Sequence, residues 1–187
     1  MKIKSHSFSD LPFSKLFKDY IQQKSELTDF FETPPFNFQD LKNRAENISF
    51  PSDRIKVSDA LKEFNNQFEP SETTLLNIEK LRDPSTLAVV TGQQMVLYGG
   101  PVYTVLKTLT AIQLAKKYEK ELNRPVVPIF WLADEDHDVE EISQFGLMNR
   151  DEMIECSASF EEPGKRVSQY SLKEVHQQLR TCVKNGL

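Results

Sequence analysis

The segment from Thr91 to Pro101, TGQQMVLYGGP, has a composition suited to binding an anion. It contains two adjacent glutamines, a Gly-Gly pair and a proline that can begin a helix. Glycines let a backbone approach a ligand closely, and free N–H groups at a helix start favour negative charge. The spacing matches neither the Rossmann GxGxxG nor the phosphate-binding P-loop. The segment predicts phosphate or carboxylate binding, and the alternative is a tight turn that only packs a helix against a strand.

Lys107 is the only charged residue between Pro101 and Ala115. Such an apolar run predicts a helix that is buried nearly all round. Tyr103 lies four residues before Lys107, so the two side chains share one helix face. A lysine in apolar surroundings needs a partner, which is either a ligand phosphate or carboxylate, or a neighbouring acid.

A dense acidic run, DEDHDVEE, follows at residues 134–141 and places six carboxylates among eight residues around His137. A divalent cation, a substrate ammonium, raised pKa values, or water and a helix N-terminus could relieve the repulsion between them. Asp134, Asp136, His137 and Asp138 lie closest to the preceding strand and are expected to be the functional members, whereas Glu140 and Glu141 are expected to lie on a solvated helix surface. The other histidines, His6 and His176, are expected to be structural.

Two apolar runs predict the strands that position these segments. Leu87 to Val90 and Val126 to Trp131 flank a helix expected from Pro101, as its first residue, to about Leu122. A strand, a helix and a strand within about 45 residues form a βαβ unit with a right-handed crossover. The fold class is therefore α/β. Ligands bind beyond the carboxyl ends of parallel strands, so the tips after Val90 and after Trp131 should lie side by side, with the Lys107 amine directed between them.

The flanking regions predict mainly helices. One amphipathic helix is expected to end at Pro34-Pro35, from the spacing of Leu16, Phe17, Tyr20, Ile21, Leu27, Phe30 and Phe31. Shorter helices are expected around 41–48, 57–68 and 75–81, the last with Ser71 as N-cap. Short strands are expected at 144–149 and 152–157, and a terminal helix at 172–183. Ten of the thirteen phenylalanines lie in the first 70 residues and are expected to be buried packing residues of a helical layer. We divide the chain into a helical segment, 1–84, and a core, 85–187.

The amino-acid composition argues against several classes of function. Asp plus Glu number 28 against 23 Lys plus Arg, a net charge of −5, so nucleic-acid binding is not expected. The longest apolar stretch has eight residues, whereas a membrane-spanning helix needs about 20. Because no export signal is evident at the N-terminus, we expect a cytoplasmic protein. Cys156 and Cys182 fit no zinc spacing or disulfide framework and are expected to be free thiols.

Two segments, Thr91 to Lys117 and Arg124 to Ile142, resemble the N-terminal portion of the bacillithiol biosynthesis cysteine-adding enzymes, the BshC family. The resemblance implies a Rossmann-like, nucleotide-binding core similar to nucleotidyltransferases and class I aminoacyl-tRNA synthetases, incomplete in this chain, with a helical N-terminal layer. It also implies a ligase that joins the cysteine carboxyl group to the amine of glucosaminyl-malate, using ATP or another nucleotide. Full-length members carry a C-terminal coiled coil that suggests a homodimer, and we expect this chain to be an N-terminal fragment or a truncated member.

The resemblance also implies roles for individual residues. The first pocket wall would contain Thr91, Gly92, Gln93 and Gln94, and the anion site at the helix start would contain Gly99, Gly100 and Pro101. Tyr103 and Lys107 would face the ligand, with Lys107 stabilising negative charge. Asp136, His137 and Asp138 would line the opposite wall and bind the substrate amine or help remove its proton.

Two other functions stay open at this point. The chain could be a non-catalytic nucleotide-binding or assembly module that retains the fold. It could also be a metal-dependent hydrolase built on the acidic run, although one histidine among aspartates is a thin ligand set. No metal ligand is assigned, and the need for a divalent metal is left open.

Overall fold

The computed structural model describes residues 4, 6–31, 37–96, 99–133, 142–148, 152–160 and 169–186. The chain divides into two compact units, Met1–Pro51 and Ser52–Leu187. The predicted boundary after residue 84 differs from this division and stays a prediction. No helix in the described residues combines the length and apolarity needed to cross a bilayer.

The N-terminal unit contains short helices. A 3-10 helix at Phe8–Asp10 precedes α1, Lys15–Ile21, and a second 3-10 helix at Ser25–Phe30 precedes α2, Phe38–Asn47. The prediction of one amphipathic helix reaching Pro34-Pro35 is therefore wrong. The chain turns at Gln23, whose φ of 54° lies in the left-handed region and interrupts the helical backbone.

The phenylalanines of the first 70 residues are more exposed than predicted. Phe30 is 80% exposed and Phe68 is 67% exposed. Several of these rings pack against each other at the surface instead of entering a core, as Phe8, Phe13 and Phe17 do with centroids 4.6 to 5.6 Å apart. The expectation that they are buried is wrong for these residues, because the helices that carry them are too short to enclose them.

The second unit begins with a helical pair, α3 at Arg54–Asn66 and α4 at Glu72–Lys80. Ser71 caps α4 by accepting a hydrogen bond from the Thr74 N–H at 3.2 Å, as predicted. The fully buried Ser58 hydroxyl donates to the Ile78 carbonyl at 2.7 Å and ties the two helices together.

A βαβ unit follows and forms the centre of the second unit. β1, Leu87–Gln94, and β2, Val126–Ala133, are parallel and pair without a break from Leu87 opposite Val126 to Gln94 opposite Ala133. The strand was predicted to end at Val90, but hydrogen bonding to β2 carries it four residues further. Thr91, Gly92, Gln93 and Gln94 therefore belong to the strand and not to a loop, and β2 likewise passes Trp131.

The connecting helix, α5 at Val102–Leu122, packs on both strands. The buried residues of this helix have small side chains, namely Thr104, Ala111 and Ala115. Pro101 was expected to be the first helical residue, but it is the N-cap, one position before the helix begins. The prediction that this helix is buried nearly all round is wrong. A two-stranded sheet covers only one helix face, so Val102 stays 74% exposed and Leu106 57% exposed.

The C-terminal part is an antiparallel hairpin covered by a helix. β3, Gln144–Met148, pairs with β4, Met153–Ser157, and α6, Leu172–Gly186, packs on β4. A small core joins them through the buried residues Cys156, Ala158, Val175 and Leu179. The expectation of free thiols is wrong, because Cys156 and Cys182 form a disulfide between β4 and α6. The tertiary fold brings together two cysteines that lie 26 residues apart in the sequence.

Candidate functional site

The carboxyl ends of β1 and β2 lie side by side, as predicted. The last pairs of the ladder join Gln93 to Leu132 and Gln94 to Ala133, so both strands end at the same level of the sheet. Parallel pairing in continuous register produces this geometry, since both chains run toward the same edge. The predicted wall residues Asp136, His137 and Asp138 come directly after β2 but lie outside the described residues.

Lys107 is directed at this edge of the sheet. Its Nζ donates to the Gly92 carbonyl oxygen at 2.8 Å and to Gln93 Oε1 at 2.8 Å. The same ammonium lies 5.1 Å from the centroid of the Tyr103 ring, within the range of a cation–π contact. The partners of the lysine in the described structure are therefore neutral, and no ion pair with a carboxylate of the described residues was found.

The hydrogen-bond capacity of Lys107 is only partly used by these contacts. An ammonium group has three donors and no acceptor. Two donors bind the β1 oxygens, which fixes the direction of the amine, and the group stays half-buried. Within the described residues one N–H is left for a further acceptor, so the arrangement can bind an anionic group without first losing these two partners.

Gly92 is required by the packing of the strands. A Cβ built at this position would lie 2.5 Å from the Trp131 carbonyl oxygen on β2, closer than real Cβ contacts. Gly100 has a φ of 70°, and a Cβ there would lie 2.5 Å from Val96 Cγ2. Both observations agree with the alternative that these glycines make tight packing possible, and a role for them in ligand binding stays a prediction.

A cavity of about 450 Å³ lies beside the strand ends, and we call it the strand-end cavity. Its polar lining comes from the amides of Gln93 and Gln94 and from Thr104 and Thr108 on α5. Its apolar lining includes Val105, Leu109, Phe130 and Leu132. A mostly apolar cavity with a few converging polar groups is typical of small-molecule sites, whose volumes are roughly 300–1,000 Å³.

Thr104 carries an unsatisfied hydroxyl at this cavity. The residue is 7% exposed, and its Oγ1 has no hydrogen-bond partner within the described part of the chain. The next threonines on α5 behave differently, since Thr108 donates to the Thr104 carbonyl at 2.8 Å and Thr110 donates to the Leu106 carbonyl at 2.7 Å. A buried polar atom without a partner costs about 1–3 kcal/mol, and the Thr104 hydroxyl is itself covered, so the polar groups that a ligand in the cavity can meet are those of Gln93, Gln94 and Thr108.

The structure distributes the predicted site residues that it describes over four places. Gln93, Gln94 and Gly99 line the strand-end cavity, while Gly92, Gln93, Tyr103 and Lys107 form the lysine cluster. Gln93 belongs to both and connects them. Thr91 sits within the strand opposite Phe130, and Gly100 and Pro101 line a different cavity.

Sequence reasoning missed several cavity residues. Thr104 and Thr108 are four residues apart and flank Lys107 on α5, and Phe130 and Leu132 alternate on β2, so both pairs share a face. The spacing of each pair indicates a shared face. The prediction missed these faces because it expected α5 to be buried on all sides. Among the described residues no group of three potential metal ligands was found.

Comparison with known proteins identifies the family. A family profile described as "Bacillithiol biosynthesis BshC, N-terminal Rossmann-like domain" matches residues 1–186. The chain is 38% identical over 156 residues to "Putative cysteine ligase BshC" of Salinibacter ruber, covering 81% of this chain and 27% of that protein. It is 35% identical over 171 residues to the protein of the same name from Bacillus licheniformis, covering 91% of this chain and 29% of that protein.

A third relative of that name, from Geobacillus thermodenitrificans, is 47% identical over 90 residues, which are 48% of this chain and 17% of that protein. The chain thus spans less than a third of the length of these relatives. The predicted Rossmann-like α/β fold agrees with the family description and with the parallel βαβ unit. The chain belongs to the BshC family of bacillithiol biosynthesis and matches its N-terminal Rossmann-like domain.

Proposed function

We propose that this chain provides the nucleotide-binding side of a cysteine ligase that joins the cysteine carboxyl group to the amine of glucosaminyl-malate. The relatives are named as cysteine ligases, which supports the reaction class. Amide formation from a carboxylate and an amine requires activation of the carboxyl group, and the negative charge that develops on its oxygens needs a positioned positive group.

The orientation of Lys107 is the observation that carries this proposal. The ammonium is held by two oxygens of β1 at the sheet edge where ligands bind in Rossmann-like folds, and it keeps one donor for a ligand oxygen. Its charge would stabilise a phosphate or carboxylate bound beside Gln93. We therefore retain Lys107 as the proposed charge-stabilising residue.

The strand-end cavity suits one part of a nucleotide. Its apolar side chains, Val105, Leu109, Phe130 and Leu132, can cover a nucleobase, and the Gln94 side chain, which lines the same cavity, can hydrogen-bond its edge. ATP, when bound, would supply the free energy that activates the carboxyl group. Gln93 lies between this cavity and Lys107, so it would orient the ligand between the two.

The amine substrate is assigned to the segment after β2. We propose that Asp136, His137 and Asp138 bind the amine or accept its proton, a role that requires a base within hydrogen-bond reach of the nitrogen. A homodimer is also proposed for full-length members, with the contact made outside the part that this chain matches.

Nucleotide titration of Lys107→Ala tests the lysine assignment. Loss of one charge-assisted hydrogen bond should weaken ATP binding about 10- to 100-fold, as measured by calorimetry. Lys120→Ala is the matched control, because Lys120 is an exposed lysine nearer the carboxyl end of the same helix. Equal affinities of Lys107→Ala and the unmodified chain would remove Lys107 from the site.

Mass spectrometry of the reaction tests the ligase proposal itself. The chain and a full-length relative are each incubated with ATP, cysteine and glucosaminyl-malate, and bacillithiol formation is followed. Product formed by the full-length relative supports a ligase, and ATP binding without product by the chain alone is expected if the chain supplies only the nucleotide-binding side. ATP binding without product by the full-length relative favours the alternative of a non-catalytic nucleotide-binding module.

A further inference from the structure

A second cavity, of about 890 Å³, lies between the β3–β4 hairpin, α6 and the Gly100-Pro101 turn, and we call it the hairpin cavity. Its walls are largely apolar and include Phe145, Leu147, Met153 and Val183. The volume is about twice that of the strand-end cavity and lies near the upper end of the range for small-molecule sites. It suits a ligand larger than a free amino acid or a phosphate ion.

Opposite charges line this cavity without neutralising each other. Glu155 on β4 and Arg180 on α6 both contribute to the wall. No ion pair within 4 Å joins them, and neither side chain forms a hydrogen bond or ion pair with another described residue. A guanidinium and a carboxylate that do not pair with each other in one concave surface leave room between them for a polar molecule that contacts both.

The chemistry of Arg180 selects the kind of ligand. A guanidinium presents a planar fork of N–H donors that matches the two oxygens of a carboxylate. Arg180 and Glu155 are both exposed at the rim of the cavity, so a ligand can reach the two charges from solvent while its apolar part lies against the apolar walls. Glu155, as an acceptor, suits a hydroxyl or ammonium group on the same molecule.

The helix that carries Arg180 is held in place on both sides of this residue. Leu179 is fully buried in the core between α6 and β4, and Cys182 is linked by a disulfide to Cys156. The backbone position from which the Arg180 side chain extends is therefore fixed before a ligand binds. His176 lines the same cavity one turn earlier on α6.

We infer that the hairpin cavity binds a carboxylate-bearing, hydroxylated small molecule, with Arg180 on a carboxylate and Glu155 on a hydroxyl or ammonium group. Val96 lines both this cavity and the strand-end cavity, so the two sites are neighbours. Under the proposed ligase function, on which this identification rests, the ligand is the larger, amine-bearing substrate.

Titration with L-malate, a hydroxylated dicarboxylate, tests the inference on the 187-residue chain by NMR or calorimetry. Arg180→Gln should weaken malate binding by at least about tenfold, the loss expected for one charge-assisted hydrogen bond. Lys173→Gln removes the same charge from an exposed position of α6 that does not line the cavity, and its affinity should stay within about twofold. Arg180→Lys keeps the charge without the fork and should give an intermediate affinity.

Four results would overturn the inference. The first is that the unmodified chain shows no saturable binding of malate, and the second is that phosphate binds as tightly as malate. The third is that Arg180→Gln binds malate as tightly as the unmodified chain, and the fourth is that Arg180→Gln and Lys173→Gln lose the same malate affinity. Circular dichroism checks that each variant is folded. If Arg180→Gln does not fold, the malate affinity of Arg180→Lys is compared with that of the unmodified chain instead. Lys107→Ala separates this inference from the proposed function, because it should weaken ATP binding while malate affinity stays unchanged.

Discussion

At the scale of single residues, Gly92 has two structural roles. Its carbonyl oxygen accepts a hydrogen bond from Lys107, and its lack of a side chain lets β1 approach the Trp131 carbonyl of β2. The position of the lysine amine therefore depends on a backbone that only glycine permits. Disturbing this contact should affect both the stability of the strand pair and the orientation of Lys107.

We predict that Gly92→Ala lowers the free energy of unfolding by about 1–3 kcal/mol, because the added methyl group overpacks the space between the strands. Urea unfolding followed by circular dichroism measures this change. Gly146→Ala is the control, since a Cβ there meets the flexible Met153 side chain, with its Sδ at 3.2 Å. If Gly146→Ala were as destabilising as Gly92→Ala, the backbone contact would not be the cause.

At the scale of secondary-structure elements, a cluster of charges holds the end of α1. The Asp19 carboxylate is 8% exposed and pairs with Lys15 and Lys24, each at 2.6 Å. Hydrogen bonds from Lys15 and then Lys24 lower the pKa of Asp19 below its ordinary value. Lys24 follows the turn at Gln23, so the cluster connects α1 to the segment after it.

The lowered pKa predicts a loss of stability in acid. A carboxyl group whose pKa is lower in the folded than in the unfolded state contributes stability above its unfolded pKa, and this contribution is lost as pH falls through the folded value. We expect Asp19→Asn to lower the melting temperature at pH 7, and the difference from the unmodified chain to shrink progressively as the pH falls below about 4. Thermal melts across this range provide the measurement.

Asp29→Asn is the control for this pH dependence, because Asp29 lies in the second 3-10 helix and no ion pair holds it among the described residues. Its melting temperature should follow that of the unmodified chain at every pH. A difference between Asp19→Asn and the unmodified chain that is as large at pH 3 as at pH 7 would contradict the assignment.

At the scale of the whole molecule, the second unit leaves an unusual amount of apolar surface uncovered. Val102, Leu106 and Leu109 on α5 are each more than half exposed, and so are Val90 and Trp131 on the strands. Parallel sheets are normally covered on both faces. The relatives are much longer than this chain, which covers 17% to 29% of their length in the comparisons above.

We predict that the isolated chain self-associates through this surface, because large exposed apolar patches drive association in water. Leu106→Lys should shift the sedimentation coefficient toward the monomer value at concentrations where the unmodified chain associates. Gln113→Lys adds the same charge to an exposed polar position two turns away on the same helix face and should have little effect. Association that Leu106→Lys leaves unchanged would exclude the α5 surface as its cause.

Local patterns in the sequence determined most of the elements. The helices around 57–68 and 75–81, the N-cap at Ser71, the helix after Pro101 and both strand pairs follow from apolar periodicity and capping residues, which act over a few neighbouring residues. The resemblance of two segments was sufficient to identify the family. The isolation of Lys107 in an apolar run indicated that its amine needs a partner, but the predicted neighbouring acid is not found among the described residues, where neutral oxygens of Gly92 and Gln93 bind the amine.

Contacts between distant residues were decided only by the tertiary structure. β1 continues to Gln94 because β2 supplies hydrogen-bond partners, and Lys107 binds Gly92 and Gln93 because α5 crosses back over the same strand. The Cys156–Cys182 disulfide and the exposed face of α5 likewise depend on which surfaces meet. Periodicity shows which face of an element is apolar, but burial requires a second element to cover that face, and only the packed chain determines whether one does.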